Sequence, residues 1–336
     1  MQNKTEVQPG RDQPTRELLH VAFSIADPRQ RVVFARPFNP ALAIAEVIWI
    51  LAGGNASEFI MFWNPRLRHY LDADPRVFHG AYGSRLGSRP KLPNDAELLL
   101  RVANGRQSLD QLRLAYEALQ ANRDSRQIVL QIWDPVLDLP DLEPRSADVP
   151  CNLISHLMIR GDRLEWLQVM RSNDFIWGMP YNIVQFTCLH EVMAGWLGVD
   201  VGSYVQLSDS LHVYQRHWYE LDSLTLSEDR NLPMNRADLR IAGYDAWEQV
   251  FGVVAGAAAA LSKEVGPDET LEILDRTHDL PEAYLEWIAL LAAESLRRNG
   301  HEASAVNLVH RAGDYWAESW RRWHARNLEA TRATGS

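Results

Sequence analysis

Two cysteines, Cys151 and Cys188, are all that the 336 residues contain, and two thiols cannot supply a disulfide framework or a four-thiolate zinc site. A reducing cytoplasm is the compartment that suits such usage, so a cytoplasmic protein is expected. Positive charge is also short: 34 Lys and Arg stand against 44 Asp and Glu, a formal net charge of -10. Nonspecific binding along DNA draws on clustered cations. No nucleic-acid partner is therefore expected, and an anionic ligand would need a local group of arginines. No uncharged apolar run reaches the ~18 residues of a membrane span, and the start, MQNKTEVQPGRDQPTREL, has no apolar stretch of signal-peptide type. Neither an internal repeat nor a low-complexity block is found.

Apolar material is ample, at 46% of residues, enough for a sizeable core. Residues 1 to about 17 are polar and read as an arm. From Pro40 the run ALAIAEVIWILAGG, apolar nearly all round, predicts a buried helix stopped at Gly53-Gly54, with Glu46 its one charge. The stretch WNPRLRHYLDADPRVFHGAYGSRLG has no period and reads as loop-rich, whereas 95–122 has helical spacing. QIVLQIW at 127–133 reads as a strand ended by Asp134-Pro135, and 136–149 as loop.

CNLISHLMIR, Gly161-Asp162 and RLEWLQVMRS read as two strands joined by a two-residue turn. Equal steps from that turn place Cys151 opposite Ser172 and Asn152 opposite Arg171, unless a bulge shifts the pairing by one. Thiol and guanidinium become neighbours. PYNIVQFTCLHEVMAGWLGV, apolar on most faces, predicts a central helix, and VGSYVQLSDSLHVYQRH a strand followed by a short helical turn. Beyond about 220 the pattern is mostly helical. Strands and helices without βαβ alternation favour an α+β fold.

A cysteine at the head of a strand is more often a small buried hydrophobe than a nucleophile. A neighbouring cation changes that balance, because it favours the thiolate needed for attack. Cys151 gains such a neighbour in Arg171, while Cys188 lies inside the apolar helix and reads as core. Taken singly, the other polar residues have plain alternatives: Glu46 could pair at a helix end, Arg171 and Asp174 could form a surface ion pair, and Asn182 could cap a helix. His212 and His217 lack a third ligand at suitable spacing, so no metal is expected.

Pro150-Cys151, Arg171-Ser172-Asn173-Asp174, Trp177-Gly178-Met179-Pro180-Tyr181-Asn182-Ile183 and His212-Val213-Tyr214-Gln215-Arg216-His217 follow one another between 150 and 217. In order and spacing they resemble the Pro-Cys, Arg-Ser-x-Asp, Leu-Gly-x-Pro-Phe-Asn-Ile and His-x-Tyr-x-x-His of the thymidylate synthase family. Upstream, AEVIWILAGGN is similar to the family's glutamate-bearing helix, placing Glu46 and Asn55. HGAYGSRL looks like its Tyr-Gly strand start, placing Tyr82, and NRDSRQIVLQIWDP looks like its paired-arginine segment, placing Arg126. Arg11 best matches an N-terminal phosphate arginine, with Arg16 the alternative. From about 220 onward little is matched.

The resemblance implies one domain over 1–336, with a mixed sheet packed by helices around a central buried helix, a divergent helical part from about 220, and a homodimer joined through sheet faces. It also implies one-carbon transfer to C5 of a pyrimidine nucleoside monophosphate, with 5,10-methylenetetrahydrofolate as co-substrate. Cys151 would add at C6, Asn182 would read the O4 and N3 edge, Glu46 would move protons through water, and Tyr82 would help remove the C5 proton. Arg11, Arg171, Ser172 and the partner subunit's Arg126 would hold the phosphate. His212 and Tyr214 would bind the sugar, and Asp174, Trp177 and Gly178 the folate.

Departures from the pattern shape the rest of the expectation. Asn152 stands where the family has histidine after the cysteine, and Gln127 replaces the second paired arginine. In Ser208-Asp209-Ser210-Leu211-His212 the acidic residue is displaced by one. Between Met61 and Tyr70 the folate-facing tryptophans have no clear match, Trp177 replaces a leucine, and HARNLEATRATGS lacks the family's apolar closing tail. A loosely enclosed folate favours capture of water over hydride transfer, so a 5-hydroxymethyl product is expected ahead of a methyl group. Asn182 matches uracil, so UMP or dUMP is favoured. The alternatives are a reductive thymidylate synthase, a CMP or dCMP hydroxymethylase and a catalytically silent nucleotide-binding relative. A cysteine hydrolase using His156 ranks last.

Overall fold

The computed structural model describes residues 5–7, 13–72, 74–87, 91–92, 109–139, 148–224 and 232–334. Arg11 lies outside the described residues, as do 95–108 of the expected helix and 140–147 of the expected loop.

A seven-stranded mixed sheet carries the site. Its path runs β1 (Thr5–Val7), β2 (Thr15–Ile25), β7 (Asp200–Tyr214), β5 (Arg163–Met170), β4 (Asn152–Arg160), β3 (Ile128–Gln131), with the short β6 (Asn173–Asp174) also pairing with β7. The β5–β7 and β6–β7 pairs are parallel and the others antiparallel. The expected arm ends sooner than its polarity suggests, since Thr15, Arg16 and Glu17 already belong to β2. Tertiary partners satisfy their polar groups: the Arg16 guanidinium lies 4.2 Å over the Trp218 ring, and the Ser210 hydroxyl donates to Glu17.

Two apolar helices form the middle of the molecule. Helix α1 (Pro40–Leu51) starts where the Asn39 side chain accepts from the Ala41 and Leu42 amides and Pro40 supplies a preset φ; it stops just before Gly53, whose φ is 73°. Helix α6 (Met179–Leu197) is buried along nearly its whole length and ends at left-handed Gly198. Around them lie α2 (Ser57–Trp63), α3 (Tyr82–Leu86), α4 (Gln111–Ala121), α5 (Pro135–Asp138) and α7 (Trp218–Ser223). The C-terminal part adds α8 (Tyr244–Leu261), α9 (Pro267–Arg276), α10 (Glu282–Arg298), α11 (Glu302–Leu308) and α12 (Gly313–Thr334). No described helix is long and apolar enough to cross a membrane.

The C-terminal helices share one hydrophobic core with α1 and α6, and α8, α10 and α12 pack directly on α1. Buried Glu294 of α10 fastens them. It accepts from the Asn39 amide that caps α1 at 3.3 Å and from the Trp320 indole of α12 at 3.1 Å, with Arg297 and Arg298 balancing its charge.

Two local expectations need correction. Tyr82 opens a helix instead of a strand, closed by left-handed Gly87, and the chain passes so close to α1's end that a Cβ on Gly83 would lie 2.8 Å from backbone atoms of Gly54. Within the expected loop 136–149, Pro135–Asp138 closes one helical turn. Asp134 caps it, and buried Asp138 is held by Arg85 and His79.

Candidate active site

The β4–β5 hairpin turns at Gly161 and Asp162, both with positive φ, as the two-residue turn requires. Pairing then runs regularly from Arg160 with Arg163 to Ile154 with Val169, and slips so that Asn152 pairs with Met170. Leu153 is the extra residue of a bulge. The expected register is therefore off by one at the site itself: Cys151 faces Arg171, whose backbone N–H donates to the Cys151 carbonyl at 2.9 Å, and does not face Ser172. The bulge keeps thiol and guanidinium together by another route. Arg171 donates through Nε to the Pro150 carbonyl and through Nη2 to the Val149 carbonyl, each at 2.9 Å, and Nη2 lies 4.0 Å from Cys151 Sγ. Cys151 is partly exposed, as an attacking thiol must be, and Ser172 stands beside it, also partly exposed.

The same bulge turns Asn152 inward, where it is fully buried. Its amide donates to Asn182 Oδ1 at 3.2 Å and lies within hydrogen-bonding reach of the Tyr82 hydroxyl. Burial pushes that hydroxyl well above the ordinary phenol range, Cys151 adds to the push, and Asn152 pulls against it. Asn182 occupies the first turn of α6 and donates to the Gly178 carbonyl at 2.9 Å; the residue at the cap is Gly178. One turn further along α6, Gln185 donates to Glu46 Oε2 at 2.8 Å. Burial raises the Glu46 carboxyl to about 7, with the Gln185 bond drawing it down. Cys151, Tyr82, Asn152, Asn182 and Glu46 thus form one connected wall.

A second group adjoins it through β6, where Asp174 pairs with His212. Asp174 Oδ1 accepts from the Ile176 and Trp177 amides at 2.8 and 3.2 Å, and Gly178 is pressed so closely that a Cβ would sit 3.1 Å from the Asp174 carbonyl. His212 is buried edge-on to the Tyr214 ring at 5.1 Å. Trp177 is 41% exposed and held on two sides: its indole N–H donates to His217 Nε2 at 2.7 Å, and the Arg36 guanidinium lies 5.0 Å over its ring. Glu220 gathers these supports, with Arg36 at 3.5 Å, His217 Nδ1 at 3.4 Å and Arg326 of α12 at 2.9 Å.

Two candidate phosphate ligands lie off this wall, one of them, Arg126, expected to act from the partner subunit. Arg126 is exposed just before β3, and its carbonyl meets His156 Nε2 of β4 at 3.0 Å. His156 itself is five residues along β4 from Cys151, so Arg126 stands off the wall around that thiol. Arg16, the alternative to Arg11, is engaged with Trp218 and, at 3.6 Å, with Asp222. Sequence reasoning left out Gln168, which donates to Asn152 Oδ1 at 2.8 Å, Asn173, whose Oδ1 accepts from Asn182 Nδ2 at 3.4 Å, and Gln185, Arg36, Glu220 and Arg326. Only tertiary contact marks them. Cys188 is buried as expected, yet it also receives a 2.6 Å contact from Arg31, which pairs with Glu191.

A family model described as thymidylate synthase matches residues 9–252. The chain belongs to the thymidylate synthase family. Among its relatives are three proteins named deoxyuridylate hydroxymethyltransferase. That of Bacillus phage SP01 is 37% identical over 202 residues, covering 59% of this chain and 50% of the relative. That of Pseudomonas phage M6 is 38% identical over 194 residues, covering 56% and 49%. That of Delftia phage PhiW-14 is 30% identical over 227 residues, covering 64% and 58%. The chain thus spans about half the length of the curated relatives it matches. Among solved structures, the thermostable thymidylate synthase A from Bacillus subtilis superposes with a TM-score of 0.50 at 23% identity over 62% of this chain and 70% of that one, a likeness of fold. It agrees with the α+β architecture of a mixed sheet packed around a buried helix.

Proposed function

We propose that this thymidylate synthase family member transfers a one-carbon unit from 5,10-methylenetetrahydrofolate to C5 of dUMP and releases a 5-hydroxymethyl product. The observation that carries the reading is the partly exposed Cys151 thiol beside the Arg171 guanidinium, on one wall with Tyr82, Asn182 and Glu46. The names of the three phage relatives support both the uracil base and the hydroxymethyl outcome.

In this reading the Cys151 thiolate forms a bond to C6 of the pyrimidine, and the displaced electron pair makes C5 nucleophilic towards the folate methylene. Charge that collects at O4 meets the Asn182 amide, and Glu46, titrating near neutrality, exchanges protons with that edge through water. Tyr82 assists removal of the C5 proton. Folate departs to leave an exocyclic methylene, which accepts hydroxide from water; the Cys151–C6 bond then breaks and restores the ring. Arg171 and Ser172 take the phosphate, His212 and Tyr214 the sugar, and Trp177 offers an exposed ring face to the folate, with Asp174 and Gly178 shaping the turn beneath it.

The sheet supports a homodimer. Ala22, Leu207, Val169 and Ile154 form one row across its outer face, and Ser24, Val205, Leu167 and His156 the next. Joining two such faces would carry each exposed Arg126 to the partner's phosphate site. Two reduced thiols fit a cytoplasmic setting.

Tritium release from [5-³H]-labelled dUMP, UMP, dCMP and CMP with methylenetetrahydrofolate tests the reaction. Release from dUMP that disappears in Cys151→Ala, with a product heavier than dUMP by the elements of formaldehyde, as hydroxymethyl replaces the C5 hydrogen, is expected. No Cys151-dependent release from any of the four would leave a silent nucleotide-binding protein, and dihydrofolate formation would identify the reductive reaction.

A further inference from the structure

An asparagine that reads a base can present its amide either way round, and the two orientations suit different bases. Uracil offers an acceptor at O4 and a donor at N3–H; cytosine offers the reverse. Something must therefore hold the amide in one orientation if the enzyme is to choose.

Asn182 is held at both ends of a line of buried groups. At one end stands the Trp166 indole N–H, which can only donate; it points at Gln168 Oε1 at 3.2 Å. With its oxygen facing Trp166, Gln168 presents Nε2 to Asn152 Oδ1 at 2.8 Å. Asn152 then has only its NH2 group to offer, and donates to Asn182 Oδ1 at 3.2 Å. At the far end the Gly178 carbonyl, which can only accept, takes a bond from Asn182 Nδ2 at 2.9 Å. Reversing any one amide sets oxygen against oxygen or N–H against N–H, and reversing all of them loses both ends. Trp166, Gln168 and Asn152 are at most 1% exposed, so water cannot repair a reversed step. Ser155 also donates to Gln168 Oε1, at 2.6 Å, but a hydroxyl can turn and accept instead. It follows the polarity and does not set it.

We propose that Trp166, Gln168 and Asn152 form a polarity relay that fixes the orientation of the Asn182 amide and thereby makes the enzyme select uracil over cytosine. The proposal rests on Asn182 facing the base, as the one-carbon-transfer reading has it. Asn152 is the hub, and it occupies the place where the family's pattern has a histidine; the Leu153 bulge is what turns it into line. None of the three relay residues needs to touch the base. They are positioning residues acting through Asn182.

The experiment compares binding of dUMP and dCMP by calorimetry, together with tritium release from both, in native protein, Trp166→Phe, Gln168→Leu and Ser155→Ala. Trp166→Phe keeps an aromatic ring in the core while removing the fixed donor. Native protein should prefer dUMP. Trp166→Phe and Gln168→Leu should each lose about tenfold or more of that preference, largely by gaining dCMP, the order expected for releasing one buried hydrogen-bond constraint. Ser155→Ala should keep it. A general packing defect would weaken both nucleotides in step.

An unchanged dUMP-to-dCMP ratio in Trp166→Phe and Gln168→Leu would overturn the relay. So would a native protein without preference, or a Ser155→Ala protein that loses as much preference as Trp166→Phe. Preference for dUMP that responds to the relay variants, in a protein that releases no tritium, would instead sink the one-carbon-transfer reading while the relay stands.

Discussion

Glu46 shows at single-residue scale how packing tunes a group to the proton transfer proposed for it. It is the one charge of an otherwise apolar helix, and the packing around its carboxyl raises it to about 7 by penalising the anion. The rate against pH should bend near 7. Glu46→Gln should remove that bend and lower kcat by roughly 10²–10⁴, the span of general acid–base effects. Stability should move the other way. The folded pKa lies above the unfolded value of 4.5, so the preference for the folded state is complete below that value and is lost as pH rises through 7. At pH 8 the glutamine variant, free of the buried anion, should melt higher than native protein, and at pH 4 the two should agree; thermal melts at both values check this. Residues in local motifs, such as Cys151 and Asn182, were legible because neighbours in the chain identify them. Gln168 and Arg36 were not, since their partners lie far away in sequence and no spacing announces them.

At the scale of elements, α1 and α6 were readable from unbroken apolar runs closed by glycine. Strand β2 was not. Arg16, Glu17 and His20 interrupt its alternation, and their partners, Trp218, Ser210 and Asp209, come from elsewhere in the chain. The hairpin was found but its register missed, because a bulge leaves no hydropathic mark. A more consequential element is α12. Through Arg326 and Glu220 it reaches Arg36 and so the face of Trp177, although it lies beyond the family match that ends at 252. Arg326→Ala should raise the KM for methylenetetrahydrofolate several-fold while the KM for dUMP stays within about twofold, and Arg326→Lys should recover part of the loss, given the modest worth of a partly exposed ion pair. Equal changes in both KM values would remove α12 from the folate side.

For the whole molecule, the question is how phosphate reaches sufficient positive charge in a protein carrying a formal net charge of -10. In the proposed dimer each site borrows an arginine across the sheet faces. Mixing two poorly active variants, Cys151→Ala and Arg126→Ala, should then regenerate activity: one site of each mixed dimer has its own Cys151 and its partner's Arg126. About a quarter of native sites is expected from random subunit exchange with closed two-fold pairing. No recovery after confirmed exchange would place Arg126 outside the partner's site. The helical part beyond 220 was legible as helix but not as architecture, because its contact with α1 runs through Glu294, Asn39 and Trp320, which lie far apart in sequence.

The burial of Cys188 has a practical consequence. Enclosed by Arg31 and Glu191 and raised to about 11 by that burial, its sulfur is sealed from solvent, whereas the Cys151 sulfur on the proposed catalytic wall is partly exposed. The protein therefore carries a built-in single-site label: a thiol-reactive dye should modify native protein at one position only, with a second equivalent taken up after unfolding. Bound dUMP should slow the first reaction, so occupancy could be followed by colour alone, without a radioactive substrate or an engineered probe.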